Sequence, residues 1–116
     1  MPVQIKRIYE AISKDDGYRV LVDRLWPRGI KKEDAKIDEW LKEIAPSTDL
    51  RKWFGHQPER WDFFYSCYLN QLPESASVLH LRALMKKHNM VTLLYAAKDE
   101  QHNHAIVIME YLHATG

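Results

Sequence analysis

The apolar run at residues 91–97, which reads VTLLYAA, constrains the fold of this chain more than any other segment. A run that is apolar at nearly every position is typical of a strand covered on both faces, and such strands occur mainly in parallel sheets flanked by helices. We therefore predict a buried strand at residues 90–97. Segments 3–8 and 18–23 also have strand character, and the second, rich in β-branched and aromatic residues, is expected nearer the centre of the sheet.

Apolar residues at helical spacing predict helices between and after these strands. Gly55 is expected to end the second helix in the left-handed conformation. The predicted fold is α/β, with a small, mostly parallel sheet and helices packed on its faces in one compact domain, residues 1–116. The predicted helices cover residues 37–44, 49–54, 58–72 and 73–87, and a last one follows the 98–102 loop with Asp99 as its N-cap.

The composition limits which functions are open to the chain. Its 17 Lys and Arg against 16 Asp and Glu give a formal net charge of +1, which argues against extended nucleic-acid binding. A single cysteine, Cys67, cannot form an internal disulfide, and its aromatic neighbours indicate a packed, inert thiol in a reducing compartment. The opening residues lack the apolar centre of a signal peptide, and no segment is apolar over about 20 residues, so we expect a cytoplasmic protein without membrane contact.

One stretch of the chain departs from this balance of charges. Pro27 fixes its own φ and keeps Trp26 out of the helical conformation, so the loop around them is partly preorganised. Residues 17–32 contain one carboxylate, Asp23, and five cations: Arg19, Arg24, Arg28, Lys31 and Lys32.

Ligands of open parallel sheets bind beyond the carboxyl ends of the strands, so the loops after the second and third predicted strands are expected at one edge. There the cations of the first loop would approach the amino end of the last helix, which itself favours anions. An alternative, structural interpretation is that Arg24 pairs with Asp23 or Glu10 and that Trp26 only covers the end of the sheet. The binding interpretation predicts a phosphate- or nucleotide-like ligand held by five residues: Arg24, Trp26, Arg28, Lys98 and Asn103.

Candidate catalytic and metal-binding residues are few. Asp99 and His56 are the acid–base groups that an enzyme of this sequence would use. His102 and His104 stand two residues apart on a predicted helix, where their side chains point to different faces, so we expect no metal site and no cofactor. The sequence has no motif typical of ATPases, dehydrogenases, serine hydrolases or zinc metalloproteases.

Several segments resemble the YeaO-like family, which belongs to the superfamily called domain of unknown function 488. The longest is residues 16–29, DGYRVLVDRLWPRG, whose final WPRG is the most specific part. The similarity covers nearly the whole chain. Shorter matching segments are RIYE at 7–10, APS at 45–47, LRKWF at 50–54 with His56, and TLLYAAKD at 92–99.

This resemblance implies a small α/β domain with a parallel sheet, found in bacterial cytoplasm and without an established activity. Other branches of the superfamily carry a Cys in the strand at 90–97, a Glu after it and a Cys-His pair, features that suggest catalysis. The corresponding places here look like Tyr95, Ala97 and the pair Asn103-His104. Only the histidine is kept, and a tyrosine with a pKa of about 10 is a poor nucleophile at pH 7.

Three functions therefore stand as hypotheses. The first is a module that binds an anionic ligand at the cationic edge, with no catalysis expected. The second is an enzyme acting on a nucleotide or nucleic-acid-derived substrate, with Asp99 or His56 as acid or base and the cations as electrostatic stabilisers. The third is a protein-interaction domain, which would show an exposed apolar patch.

Overall fold

A four-stranded parallel sheet forms the centre of the computed structural model, which describes residues 2–115. The spatial order is β1-β4-β2-β3, and all pairings are parallel, which confirms the predicted α/β class. The run that reads VTLLY is β4, with all five residues buried between its neighbours. The strands are β1 (Val3–Arg7), β2 (Tyr18–Leu21), β3 (Glu39–Trp40) and β4 (Val91–Tyr95).

Five α-helices accompany the sheet. The second begins after Ser47, whose side chain caps it by accepting a hydrogen bond from the Leu50 N–H, and it ends at Gly55 with a φ of 51°, as predicted. No helix in the described part of the chain combines the length and the apolar character needed to cross a bilayer. The helices are α1 (Lys32–Ala35), α2 (Thr48–Phe54), α3 (Trp61–Gln71), α4 (Ala76–Lys87) and α5 (His104–Thr115).

The sheet separates two apolar clusters of unequal size. Val20 and Val22 belong to the main core, together with buried side chains of α3, α4 and α5. Leu21, which alternates with them, faces a smaller cluster formed with Ile8, Ala35 and Leu94. Helical and loop segments thus cover both faces of β2 and β4, which explains why these strands are apolar at nearly every position.

The helix predicted at residues 37–44 is wrong. Glu39–Trp40 is the short strand β3 beside β2, and Lys42–Ile44 forms a 3-10 turn. Lys36, just before this segment, has a left-handed φ of 51° and ends α1. The Leu41 N–H then donates to the Leu21 carbonyl, so pairing with β2 outweighs the helical spacing of the apolar residues.

The other predicted helices need smaller corrections at their beginnings. Asp99 does not cap the last helix: α5 begins at His104, and the Asn103 side chain accepts from the Ile106 N–H. Pro58–Arg60 forms a 3-10 turn before α3. Another 3-10 turn, Leu72–Glu74, contains Pro73, so α4 begins only after Ser75.

Candidate functional site

The loops that follow β2 and β4 meet at the carboxyl edge of the sheet, as the parallel arrangement requires. Asp23, two residues after β2, accepts a 3.0 Å hydrogen bond from the Ala96 N–H through Oδ2. Its backbone carbonyl accepts a 2.7 Å hydrogen bond from Trp40 Nε1. Asp23 therefore ties the two loops and β3 together at the edge where a ligand would approach.

His104, the first residue of α5, is fixed to the same place. Its Nε2 donates a 2.9 Å hydrogen bond to the Val22 carbonyl, which sets the tautomer because a carbonyl can only accept. Asp23 Oδ1 lies 3.2 Å from the same nitrogen but accepts no hydrogen bond within residues 2–115. The imidazole is thus used to attach α5 to the end of β2.

Tyr68 packs beside His104 under this edge. The two rings have centroids 6.3 Å apart, and the Tyr68 hydroxyl donates a 2.6 Å hydrogen bond to the Ile44 carbonyl. Burial raises the pKa of Tyr68 well above 10, although the nearby positive charge of Arg24 opposes the shift. Tyr68 therefore remains a neutral hydrogen-bond donor at any physiological pH.

Arg24 is the half-buried cation closest to this group. Both of its hydrogen bonds use Nη2, which donates to the carbonyls of Ala45 at 3.2 Å and Pro46 at 3.4 Å. Its Nε is buried and has no acceptor among the described residues. Arg24 pairs with neither of the carboxylates considered from the sequence, Asp23 and Glu10, so its charge is not neutralised by a salt bridge within residues 2–115.

An open cleft of about 530 Å³ lies in front of Arg24. The beginning of α4 contributes to its wall, where the Ser75 side chain accepts from the Ser77 N–H and the first turn contains no acidic residue. The amino end of a helix carries a partial positive charge, although the Glu74 carboxylate also lines this cleft, just before the Ser75 cap. The lining residues are Arg24, Glu43, Ile44, Ala45, Ser47, Tyr68, Gln71, Leu72, Glu74, Ser75, Ala76 and Ser77.

Trp26 lies in a different place from Arg24. Its indole packs edge-on against Trp40, with ring centroids 5.4 Å apart, and belongs to the smaller apolar cluster on the other side of the sheet. Its Nε1 donates a 2.7 Å hydrogen bond to the Ile30 carbonyl. The structure therefore does not bring Trp26 into the cleft of Arg24.

Arg28 and Lys98 are exposed and belong to a third location. The Arg28 carbonyl accepts a 2.8 Å hydrogen bond from the Tyr9 hydroxyl, and the Arg7 guanidinium lies 5.0 Å from the centre of the Tyr9 ring. Arg7 in turn donates to the carbonyls of Ala96 and Ala97, immediately before Lys98. The backbone contacts thus place both residues near the ends of β1 and β4, and neither lines the cleft of Arg24.

Arg19 contributes no charge to the surface. It is 4% exposed, forms a salt bridge with Asp16 and donates to the Lys36 and Ala35 carbonyls. The cation-rich stretch is therefore divided between the buried Arg19, the half-buried Arg24 and three exposed cations, of which only Arg24 lines the cleft.

Asn103, the remaining predicted ligand-binding residue, is buried beside Tyr95. Its Oδ1 caps α5, and its Nδ2 donates a 3.0 Å hydrogen bond to the Asp99 carbonyl. Burial raises the pKa of Tyr95 above its usual value of 10.0, so the hydroxyl stays protonated at neutral pH. Both side chains are 2% exposed, and a ligand at the surface has little access to them.

The two residues considered for catalysis are in different surroundings. Asp99 Oδ1 accepts from the N–H groups of Gln101 and His102, and Oδ2 bonds to His102 Nδ1 at 2.8 Å. The Gln101 N–H and the His102 side chain hold the pKa of Asp99 below its usual 3.8. His56 is exposed in the turn after α2, with a left-handed φ of 59°, and its ring lies 6.4 Å from that of Phe54.

Metal binding and thiol chemistry find no site in the described part of the chain. Within residues 2–115, no three His, Cys, Asp or Glu side chains are arranged to hold a metal ion. The Asp99 carboxylate is hydrogen-bonded to His102 Nδ1, and His104 Nε2 is hydrogen-bonded to the Val22 carbonyl. Cys67 is half-buried on α3 and is not oxidised to a disulfide.

Two features of this edge are missing from the sequence-based site. Asp23 and His104 come together although each was considered there with other partners. The helix predicted from residue 73 has Ser75 and Ser77 in its interior, whereas in the structure they lie at the start of α4, in the cleft wall. A serine directly before an apolar helical pattern is an N-cap signal, and it would have placed the start of α4 correctly.

Comparisons with known proteins agree with one another. A family model described as "Inactive DUF488-N3 subclade" matches residues 2–115. The Uncharacterized protein YeaO of Escherichia coli is 46% identical over 112 residues, which cover 97% of both chains. Uncharacterized proteins of Mycobacterium tuberculosis and Mycobacterium bovis are 46% identical over 110 residues, covering 95% of this chain and 92% of theirs. No solved structure matches.

Proposed function

Because this chain belongs to the YeaO-like family of the domain of unknown function 488 superfamily, in the subclade described as inactive, we propose that it is a non-catalytic binding module. Its ligand is a small molecule with an anionic group, bound in the cleft of Arg24. Of the residues predicted to bind the ligand, the proposal retains only Arg24. The other ligand contacts come from the residues that line the cleft. Arg28 and Lys98 belong to a separate surface.

The state of Arg24 carries this proposal. Its Nε–H is buried without an acceptor, which costs about 1–3 kcal/mol, and its positive charge lines the cleft without a salt-bridge partner in residues 2–115, so a phosphate or carboxylate there would neutralise that charge. The Ala45 and Pro46 carbonyls orient the guanidinium through Nη2 alone. A fixed guanidinium loses little side-chain entropy when it binds an anion.

The beginning of α4 supports an anion in the same cleft. The partial positive charge of its amino end favours an anion, and Ser75, Ala76 and Ser77 line the cleft together with Arg24. The volume of about 530 Å³ is in the range of clefts that hold small molecules. Tyr68, neutral and bonded to the Ile44 carbonyl, gives the cleft a rigid floor.

The groups available for catalysis favour binding without turnover. Asp99 is engaged by hydrogen bonds of its own loop, and Tyr95 is kept protonated by burial. Neither is a nucleophile or a general base with access to the cleft of Arg24. The description of the subclade as inactive is in keeping with this.

Isothermal titration calorimetry with inorganic phosphate tests the proposal. Ser77→Asp places a carboxylate at the start of α4, where it leaves the fold intact but opposes an anion, and Ser77→Asn is the uncharged control. We expect saturable binding by wild type and Ser77→Asn, and binding at least about tenfold weaker by Ser77→Asp, a difference of about 1.4 kcal/mol. Absence of binding by wild type, or equal binding by all three proteins, would contradict the proposal.

A protein-interaction function is the second candidate, because one exposed aromatic pair favours it. Trp53 and Phe63 are 41% and 63% exposed, with ring centroids 5.2 Å apart. Arg60 lies over the Trp53 ring and donates to the Trp53 carbonyl. Trp, Phe and Arg are enriched at protein interfaces.

Analytical ultracentrifugation tests this second candidate. Phe63→Glu should abolish any concentration-dependent association of wild type, whereas Leu79→Glu, at another exposed apolar position, on α4, should not. The same sedimentation behaviour in wild type and both variants would argue against an interface at this pair.

A further inference from the structure

The charges that line the cleft of Arg24 are of both signs. Arg24 supplies one positive charge, while Glu43 and Glu74 supply two negative ones. Both glutamates are exposed, and neither forms a salt bridge within residues 2–115. A ligand with only negative charge would therefore gain from Arg24 but be opposed by two unneutralised carboxylates.

We propose that the ligand of this cleft is zwitterionic, with an anionic group bound at Arg24 and a protonated amine directed to Glu43 or Glu74. The inference rests on the proposed function and makes it more specific. Small amino-alkyl phosphates and α-amino acids belong to this ligand class. Nucleotides with several phosphates do not, because their added negative charges would meet the glutamates.

The size of the cleft fits a small zwitterion. A volume of about 530 Å³ holds a molecule in which the two charges are separated by a few bonds. Such a separation lets the anionic end reach the half-buried Arg24 guanidinium while the amine remains near the exposed Glu43 and Glu74 carboxylates. Complementary charges in this arrangement give specificity as well as affinity.

Three other polar side chains of the cleft wall, Gln71, Ser47 and Ser75, already accept or donate hydrogen bonds within the protein. The Gln71 Oε1 accepts a 3.2 Å hydrogen bond from the Ser47 N–H, and its Nε2 donates to Ser47 Oγ at 3.4 Å. The Ser75 side chain caps α4. Recognition of a cationic group is therefore left to the two glutamates, since a carboxylate is the strongest acceptor available for a protonated amine.

Two phosphates of equal size test this inference by calorimetry: phosphoethanolamine, which carries an amine, and 2-hydroxyethyl phosphate, which carries a hydroxyl. We expect wild type to bind phosphoethanolamine at least about fivefold more tightly than 2-hydroxyethyl phosphate, about 1 kcal/mol. In a Glu43→Gln and Glu74→Gln double variant, this preference should fall to about one. Glu33→Gln, which removes an exposed carboxylate outside the cleft, is the matched control and should keep the preference.

The outcomes separate this inference from the proposed function. Equal binding of both phosphates by wild type, or a preference that survives in the double variant, overturns the zwitterionic ligand but leaves an anion-binding cleft. If wild type binds neither compound nor inorganic phosphate, the proposed function and the inference both fail. Loss of the preference in Glu33→Gln as well would locate the effect outside the cleft and overturn the inference.

Discussion

Asp23 Oδ1 lies 3.2 Å from His104 Nε2, and this contact joins the end of β2 to the first residue of α5. Both side chains are 16% exposed, so water screens the contact only in part. The imidazole also donates to the Val22 carbonyl, which makes it a tie between two distant segments of the chain. His104 therefore holds the start of α5 to the end of β2.

Replacing His104 should destabilise the fold measurably. His104→Ala removes the hydrogen bond to Val22 and takes the imidazole away from Asp23 Oδ1, so we expect a loss of about 1–3 kcal/mol in the free energy of unfolding. His102→Ala is the control, because the His102–Asp99 contact is about one-third exposed and should contribute less than about 1 kcal/mol. Urea denaturation monitored by circular dichroism measures both, and equal losses would contradict this role of His104.

Two neighbouring phenylalanines on α3 should respond differently to truncation. Phe64 is 2% exposed and stacks on Phe54 with ring centroids 4.4 Å apart, so Phe64→Ala should cost about 3–5 kcal/mol. Phe63 is 63% exposed, so Phe63→Ala should cost less than about 1 kcal/mol. Thermal unfolding of the two variants checks the orientation of α3, which would be in doubt if Phe63→Ala were the more damaging change.

Gly17 should be much less replaceable than Gly29. Both have a positive φ, 65° and 78° respectively. A Cβ on Gly17 would lie 2.3 Å from the Met90 carbonyl oxygen, whereas a Cβ on Gly29 meets no atom of the described residues within 4 Å. Gly29→Ala should therefore cost about 1–2 kcal/mol from backbone strain alone, and Gly17→Ala several kcal/mol because β2 must shift from β4. Similar unfolding midpoints for the two variants would show that this close approach is not present in solution.

Asp16 should make the stability depend on pH in the acid range. Burial by itself raises the pKa of Asp16, but hydrogen bonds from the Ser13 N–H, Lys6 and Arg19 outweigh it and bring the pKa below 3.8. A carboxyl whose pKa is lower in the folded than in the unfolded state stabilises the fold at a pH above its unfolded-state pKa. This contribution disappears as the pH falls through its folded-state pKa.

The variant Asp16→Asn tests this dependence. We expect it to lower the free energy of unfolding by about 3–5 kcal/mol at pH 7, because Lys6 and Arg19 lose their partner. The difference from wild type should stay constant down to about pH 5 and shrink below 3.8. Chemical denaturation at pH 7, 5, 3.5 and 2.5 gives the free energy of unfolding of both proteins. A difference between them that does not change with pH would exclude Asp16 as the source of the pH dependence.

Elements defined by a strong local pattern were predicted correctly. Strand β4 follows from its own apolar run. The ends of α2 follow from Ser47 and Gly55, which lie directly beside the helix in sequence. The helix predicted at 37–44 failed because a contact distant in sequence decides the outcome: the Leu41 N–H pairs with the Leu21 carbonyl of β2. No local pattern contains that information.

The meeting of two loops at one edge of the sheet was predictable, but the cleft in front of Arg24 was not, because it is lined by residues 43–47 and 68–77 instead of by the loop after β4 and the start of α5. The rule for parallel sheets places the loops after β2 and β4 at one edge, and they do meet there. Side-chain direction is a different matter, because Arg24 and Trp26 are two residues apart and yet belong to opposite sides of the sheet. The partners of Arg24, the Ala45 and Pro46 carbonyls, follow a segment whose secondary structure was predicted incorrectly.

The Nε–H resonance of Arg24, followed by NMR during titration with phosphoethanolamine, tests the ligand-binding cleft most directly. We predict a saturable change of this resonance together with the backbone amides of Ser77 and Val78 at the start of α4. A response confined to Arg28 and Lys98, or no response at any concentration, would contradict a ligand site at Arg24.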